Sequence, residues 1–147
     1  MGSRSTEAAV RELLDREAIR DLACRYAHCV WQKDVAGAVE LFTADGSMDT
    51  GDRPAIQGRA ALLATYDEML AAPDFHPFVH NHLIELQGDS ATGICYLDLR
   101  ATMDGESMIG SGYYDDEYVR VGEQWKFRSR KLTLSYFVPL SQGWASR

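Results

Sequence analysis

Apolar residues in the first quarter of the chain recur at the three- and four-residue spacing of an amphipathic helix. The pattern predicts a helix from Thr6 to Gln32, with Ser5 or Thr6 as its cap. Its predicted buried stripe contains Val10, Leu13, Leu14, Ile19, Leu22, Tyr26, Cys29 and Val30. The charged residues between them, including Asp15 and Asp21, are interpreted as the solvent face, which His28 shares.

Two shorter helices are predicted next. Asp34 can cap a helix over Val35–Phe42, which Thr43-Ala44-Asp45-Gly46 would end. A short strand, Ser47–Thr50, then leads to a third helix over Arg59–Leu70 with Leu62, Tyr66 and Met69 facing inward.

The second half of the chain is predicted to form β-strands. Long apolar and β-branched segments, separated by turn residues, are predicted at 77–86, 91–103, 107–121 and 124–140. Short turns make neighbouring strands antiparallel, and Gly110 and Gly112 are expected to allow bulges. Helices followed by a strand meander predict an α+β fold, with the helices on one face of a curved, mostly antiparallel sheet and a pocket between the layers.

The first of these strands carries two imidazoles. Strict alternation along Pro77–Leu86 puts His80 and His82 on one face with Ile84 and Leu86. Imidazoles titrate near neutral pH, so an apolar stripe that contains two of them indicates a candidate site. The same pair could instead hold a metal ion, with Asp98 or His76 as a third ligand, but the expectation is that no metal is bound.

Length, composition and net charge limit the classes of function that are expected. A chain of 147 residues with 46% hydrophobic residues is expected to form one soluble domain, with about residues 1–6 disordered. The net charge of -7 argues against nucleic acid and anionic membrane as partners. Three cysteines without a CxxC pair favour a reducing cytoplasm over a disulfide framework or a zinc site. No Gly-rich phosphate loop, G-x-S-x-G elbow or HExxH occurs.

Several short motifs in a fixed order resemble the SnoaL-like family of the nuclear transport factor 2-like superfamily. They are Ala18-Ile19-Arg20-Asp21-Leu22, Leu41-Phe42-Thr43-Ala44-Asp45-Gly46, Asn81-His82-Leu83-Ile84-Glu85-Leu86, Tyr114-Asp115-Asp116-Glu117-Tyr118 and Trp125-Lys126-Phe127. The resemblance implies a cone-shaped α+β barrel, a homodimer or larger homo-oligomer, an enclosed small-molecule pocket and no cofactor. Family enzymes include dehydratases, polyketide cyclases, a steroid isomerase and a dehydrochlorinase.

The resemblance also implies site residues. Arg130 matches an arginine that takes up a leaving group in the dehydrochlorinase, and Tyr26 matches a first-helix tyrosine of dehydratase-like members. His80 is the best match to the histidine of the strand, with His76 and His82 as alternatives. Trp31 falls where several relatives carry the aspartate that orients this histidine.

Each candidate also has a structural interpretation. Tyr26 can be ordinary core, Arg130 an exposed edge charge, and either histidine can be satisfied by hydrogen bonds within the sheet. Trp31 is interpreted as pocket wall, and Tyr96 and Tyr114 are more typical of packing than of chemistry. His82, Trp31, Tyr96, Asp98 and Tyr114 are nevertheless taken as candidate ligand contacts.

The leading hypothesis is a cofactor-independent lyase or isomerase that acts on a small, hydrophobic, cyclic, oxygenated compound. His80, alone or together with His82, would transfer the proton, while Tyr26 and Arg130 polarise or hold the oxygen. The alternative is a protein of the same fold that only binds a small molecule, or a dimerisation module.

Overall fold

The computed structural model describes residues 5–145, and this part of the chain forms three helices and six strands. The helices are α1 (Thr6–Gln32), α2 (Val35–Glu40) and α3 (Arg59–Met69). The strands are β1 (Phe42–Asp49), β2 (Ile56–Gln57), β3 (Asp74–Gln87), β4 (Ser90–Met103), β5 (Glu106–Val121) and β6 (Gln124–Pro139). The disorder expected for residues 1–6 concerns mainly residues outside the described part; Ser5 caps α1 and Thr6 begins it.

The strands form one sheet in the order β2-β1-β6-β5-β4-β3. All neighbours are antiparallel except β1 and β6, which run parallel. Strands β2 and β3 remain as free edges within residues 5–145, so the curved sheet does not close into a barrel. The predicted α+β class, with helices packed on a mostly antiparallel sheet, is confirmed. The two-residue strand β2 was missed because so short a segment carries no periodic signal.

Helix α1 has the predicted bounds, but its buried stripe is shorter than predicted. Ile19, Leu22 and Tyr26 are buried, whereas Val10, Leu13 and Leu14 are 47%, 67% and 62% exposed. Periodicity reports which residues share a helix face but not whether another element covers that face.

The opposite error concerns Asp15, predicted on the solvent face but only 8% exposed. Arg120 binds both carboxylate oxygens of Asp15, at 3.0 and 2.9 Å, and the Trp125 indole donates to one of them at 3.2 Å. A buried carboxylate is tolerated when such donors satisfy it.

The boundary between α2 and β1 also differs from the prediction. Asp34 caps α2 as expected, accepting a hydrogen bond from the backbone of Gly37 at 2.9 Å. The helix ends at Glu40, however, and Phe42 already begins β1, so the Thr43–Gly46 segment is strand rather than helix terminus. The register of β1 against β6 shifts within this segment, between Phe42 and Ser47.

Three irregularities break the alternation of the long strands. In β3, residues 80 and 81 together lie opposite Tyr96, since Val79 pairs with Leu97 and His82 with Cys95. In β6, the register shifts opposite Glu117/Tyr118 and again opposite Ser111/Gly112. The second shift lies at the predicted glycine pair, where a Cβ on Gly112 would be 2.0 Å from the carbonyl oxygen of Thr133. Each bulge moves the following residues to the other face of the strand.

Leu22 is buried and Leu13 is exposed, so replacement by alanine should change the free energy of unfolding by different amounts at these two positions of α1. Leu22→Ala opens a cavity in the core and should lower the free energy of unfolding by about 3 kcal/mol. Leu13→Ala should change it by less than about 0.5 kcal/mol because the side chain is largely in solvent. Urea denaturation followed by circular dichroism measures both values. Equal losses for the two variants would mean that Leu13 is covered in solution.

Candidate functional site

A cavity of about 510 Å³ lies between the helices and the sheet. This volume is within the range of sites for small organic ligands. Its lining is mainly apolar, with side chains from α1, α3, β1, β3, β4 and β6 that include Val30, Met48, Leu70, Phe75, Leu99, Leu132, Leu134 and Phe137. Charged lining residues are Asp52, Arg53 and Glu68, which are exposed and carried by the β1–β2 loop and the end of α3. The cavity therefore has an apolar body and a charged margin.

Three buried tyrosines supply the neutral polar groups of this cavity wall. Tyr26 comes from α1, Tyr66 from α3 and Tyr114 from β5. The hydroxyls of Tyr26 and Tyr66 are hydrogen-bonded to each other, and the ring of Tyr26 meets those of Tyr66 and Tyr114 edge to face. The hydroxyl of Tyr114 makes no hydrogen bond within residues 5–145. Hydroxyl donors thus converge in an otherwise apolar space.

These phenols are held in their neutral form. Burial raises the pKa of Tyr26, of Tyr66 and of Tyr114 above the ordinary value for tyrosine. One proton is used in the bond between Tyr26 and Tyr66, so the second hydroxyl of that pair can donate to a ligand. The site can therefore donate to an acceptor oxygen at neutral pH.

A buried ion pair lies behind the tyrosines. Arg130 of β6 and Asp116 of β5 are directly opposite each other in the sheet, and both side chains are fully buried. Arg130 donates from Nε to Oδ1 of Asp116 at 2.7 Å and from Nη2 to Oδ2 at 3.0 Å. Burial alone would lower the pKa of Arg130, but the adjacent carboxylate more than offsets this and the pKa is raised. Arg130 therefore keeps its positive charge.

The guanidinium also packs against aromatic rings. Its central carbon is 3.7 Å from the ring centre of Tyr114, 4.2 Å from that of Phe127 and 4.6 Å from that of Tyr26. Cation–π contacts of this kind are worth up to about 2 kcal/mol when desolvated. The predicted oxygen contact, Arg130, therefore lies next to the cavity wall but is separated from the cavity by Tyr26 and Tyr114.

His82 is joined to this pair through Tyr118. Tyr118 donates to Oδ2 of Asp116 at 2.8 Å, and Nε2 of His82 is 2.8 Å from the Tyr118 hydroxyl. Partial burial, the largest influence, lowers the pKa of His82 to about 4, so the imidazole is neutral at pH 7. His82 faces the interior of the protein but does not line the cavity.

His80 lies on the other face of the sheet, so the prediction that His80 and His82 share one face is wrong. The bulge at residues 80 and 81 turns His80 outward, where its Nε2 is 3.0 Å from Oδ2 of Asp98. Both side chains of this pair are about half exposed. Ser111 donates to the other oxygen of Asp98 at 2.9 Å. His80 and Asp98 thus form a carboxylate–imidazole pair, but it lies outside the cavity.

Two further predicted ligand contacts, Tyr96 and Trp31, also lie outside the cavity. Tyr96 is 40% exposed on the outer face, with its ring against that of Tyr113. Trp31 stacks on His76 at 3.9 Å between ring centres, and its indole donates to the backbone carbonyl of Pro77 at 2.8 Å. Trp31 therefore caps a carbonyl on the free edge of β3 and does not form the pocket wall that the sequence suggested.

The structure also removes the geometric basis for a metal site that uses both His80 and His82. His80 and His82 point to opposite faces and do not share one ion. Across residues 5–145, no three histidine, cysteine or acidic side chains are grouped as metal ligands.

Of the eight predicted site residues, Tyr26 and Tyr114 line the cavity. Arg130 and His82 belong to the buried network behind it, and the remaining four lie on or near the outer face. Tyr66, Asp116 and Tyr118 were not among the predicted site residues. A tyrosine on the apolar stripe of α3 was the available signal for Tyr66, since a buried hydroxyl needs a partner. For Asp116, the only signal was its position two residues from Tyr114 and from Tyr118 in a predicted strand, which places all three side chains on one face.

Residues 11–131 match the family described as SnoaL-like domain, and the chain belongs to this family. No curated protein matches the chain. Within residues 5–145, no helix combines the length and the apolar character needed to cross a membrane.

Solved structures of related proteins share the fold. A single-residue variant of Rv3472, a protein of unknown function from Mycobacterium tuberculosis, is 26% identical over 91% of this chain and 78% of its own, with a TM-score of 0.81. The hexachlorocyclohexane dehydrochlorinase LinA-type3 from Novosphingobium barchaimii is 21% identical over 90% and 94%, with a TM-score of 0.83. A candidate scytalone dehydratase from Novosphingobium aromaticivorans is 21% identical over 87% and 89%, with a TM-score of 0.80. The nuclear transport factor 2-like fold is therefore confirmed.

The pKa of His82 predicts a pH dependence of stability. The unfolded chain protonates this imidazole near pH 6.5, whereas the folded protein does so only near pH 4. Between these values the unfolded state binds more protons, so the free energy of unfolding should fall as the pH is lowered from 6.5 to 4. Denaturant titrations at several pH values measure this slope.

His82→Gln should flatten the slope because glutamine does not titrate in this range. His28→Gln is the control, since His28 is exposed on α1. An unchanged slope in the His82 variant would show that other groups cause the acid dependence.

Proposed function

We propose that this protein binds a small, hydrophobic, cyclic molecule with an acceptor oxygen in the cavity between the helices and the sheet. The observation that carries this proposal is the set of three neutral tyrosines in an apolar cavity of about 510 Å³. A site built mostly of apolar side chains with a few convergent donors is the usual design for such ligands. The oxygen would accept from the hydroxyl of Tyr114 and from whichever of Tyr26 and Tyr66 does not donate to the other.

A ligand without charge fits the site better than an anion. The positive charge of Arg130 is neutralised by Asp116 and shielded by two tyrosine rings. The charged lining residues at the margin include two carboxylates, Asp52 and Glu68, and one cation, Arg53. Transfer of an anion into the apolar body would therefore be costly and without a direct counter-charge.

Two bicyclic probes of nearly equal shape test this proposal: 1-tetralone and tetralin. The ketone should bind at least about five-fold more tightly than the hydrocarbon, because each hydrogen bond contributes about 1 kcal/mol. The double variant Tyr26→Phe/Tyr66→Phe should reduce this preference to the part that Tyr114 provides and keep tetralin binding. Isothermal titration calorimetry measures the affinities.

The control variant is Tyr113→Phe, which removes a hydroxyl from the outer face of the same sheet. Equal affinities of the wild-type protein for 1-tetralone and tetralin would overturn the proposed recognition of oxygen.

Catalysis by the same site, as a lyase or isomerase, is a second candidate. The observation in its favour is that donors to an oxygen and carboxylates line one cavity: Tyr26 and Tyr66 on one side, Asp52 and Glu68 at the margin. Removal of a proton next to a carbonyl needs both a base and donors to the developing oxyanion. His80, the base expected from the sequence, has no part in this proposal because it lies on the outer face.

Proton exchange at the carbon next to the carbonyl of 1-tetralone tests this candidate. In deuterium oxide the wild-type protein should accelerate deuterium incorporation, and Asp52→Asn or Glu68→Gln should abolish the acceleration if that carboxylate is the base. Mass spectrometry measures the incorporation. Binding of the ketone without accelerated exchange would leave the protein as a binding protein for this probe.

Two expectations from the sequence accompany these proposals. Cys24, Cys29 and Cys95 are all unpaired, which supports a reducing compartment such as the cytoplasm. A homodimer or larger homo-oligomer stays a prediction, for which light scattering coupled to size exclusion gives the mass in solution.

A further inference from the structure

A directed chain of hydrogen bonds connects His82 to the ion pair behind the cavity. The carboxylate of Asp116 only accepts, so the proton of Tyr118 is donated to it. The oxygen of Tyr118 is then free to accept, and Nε2 of His82 is 2.8 Å away. His82 must therefore carry its proton on Nε2. The direction of every bond in the chain follows from the charge of Asp116.

Arg130 is held by polar contacts along one edge only. Its Nε and Nη2 bind Asp116, while the buried Nη1 has no hydrogen-bond partner within residues 5–145. The orientation of the guanidinium plane therefore depends on Asp116 as well as on the aromatic rings that pack against it. One oxygen of Asp116 is shared with Tyr118, so the carboxylate is itself fixed by the chain from His82.

The orientation of that plane matters for the cavity. The guanidinium faces the rings of Tyr114 and Tyr26 at 3.7 and 4.6 Å, and both rings form cavity wall. A cation against the ring face withdraws electron density from a phenol and makes its hydroxyl a stronger donor. Arg130 thus meets a bound ligand through the two tyrosines and not by contact.

We propose that Tyr118 and His82 are positioning residues for oxygen recognition, because they orient Asp116 and, through it, the guanidinium that strengthens the tyrosine donors. This inference rests on the proposed binding of an oxygenated ligand. It assigns a role to two residues that do not line the cavity.

The test compares 1-tetralone with tetralin on the full-length protein and on Tyr118→Phe. Loss of the Tyr118 hydroxyl should weaken 1-tetralone binding by about three- to five-fold, the effect of a modest loss in hydrogen-bond strength. Binding of tetralin should be unchanged, because the volume and the lining of the cavity are unchanged. Tyr113→Phe, on the outer face of the same strand, should alter neither affinity.

Three outcomes would count against the inference or its basis, and they are distinguishable. Equal weakening of both probes in Tyr118→Phe would show a general distortion of the cavity and overturn the positioning role. An intact preference for the ketone in Tyr118→Phe would overturn it as well. No preference in the wild-type protein would instead overturn the proposed function on which the inference rests.

A second measurement needs no ligand and does not depend on how well Tyr118→Phe folds. Nitrogen-15 NMR of the histidine rings should show His82 protonated on Nε2, and the Nε proton of Arg130 should give a slowly exchanging signal shifted by the ring of Tyr114. His82→Leu should broaden or move that arginine signal. A His82 tautomer protonated on Nδ1, or an arginine signal unaffected by His82→Leu, would overturn the chain.

Discussion

The interior of this protein depends on the buried ion pair between Asp116 and Arg130. Removal of two charges from water is costly, and the cost is offset here by two hydrogen bonds and by three aromatic rings around the guanidinium. This arrangement requires β5 and β6 to pair so that the two residues are directly opposite each other. A change of register by one residue would turn one of the two side chains to the outer face and leave the other unpaired in the core. The ion pair therefore specifies one alignment of the central strands.

Strand bulges then decide which side chains share the interior. In β6, the shift opposite Glu117/Tyr118 places Phe127 and Arg130 on one face although they are three residues apart. The shift near Gly112 does the same for Leu134 and Phe137, which both line the cavity. In β3, the bulge has the opposite effect on two histidines and separates His80 from His82. The β6 part of the cavity lining follows from the two interruptions in that strand, whereas the β3 bulge keeps His80 out of the interior.

The resulting site differs from the one expected for a histidine-dependent enzyme. The imidazoles are used elsewhere: His80 pairs with Asp98 on the outer face, His76 stacks on Trp31, and His82 ends a buried hydrogen-bond chain. What remains in the cavity is a set of neutral phenols supported by a shielded cation. Such a site recognises an oxygen by hydrogen bonding. If it also moves protons, the carboxylates at the cavity margin are the groups in its lining suited to act as bases.

Local signals in the sequence determined most of the fold. The period of apolar residues placed α1 from Thr6 to Gln32, turn residues separated the long strands, and the order of motifs indicated the SnoaL-like family. The residues of the candidate site were predicted less well from the sequence. Of the predicted residues, Tyr26 and Tyr114 line the cavity, whereas His80 was assigned to the wrong face and Tyr66, Asp116 and Tyr118 were not among the predictions. Alternation along a strand is a local rule, and a bulge is set by the pairing partner. Only the tertiary structure decided which buried polar groups meet, because an ion pair or a hydrogen-bond chain joins residues far apart in the sequence.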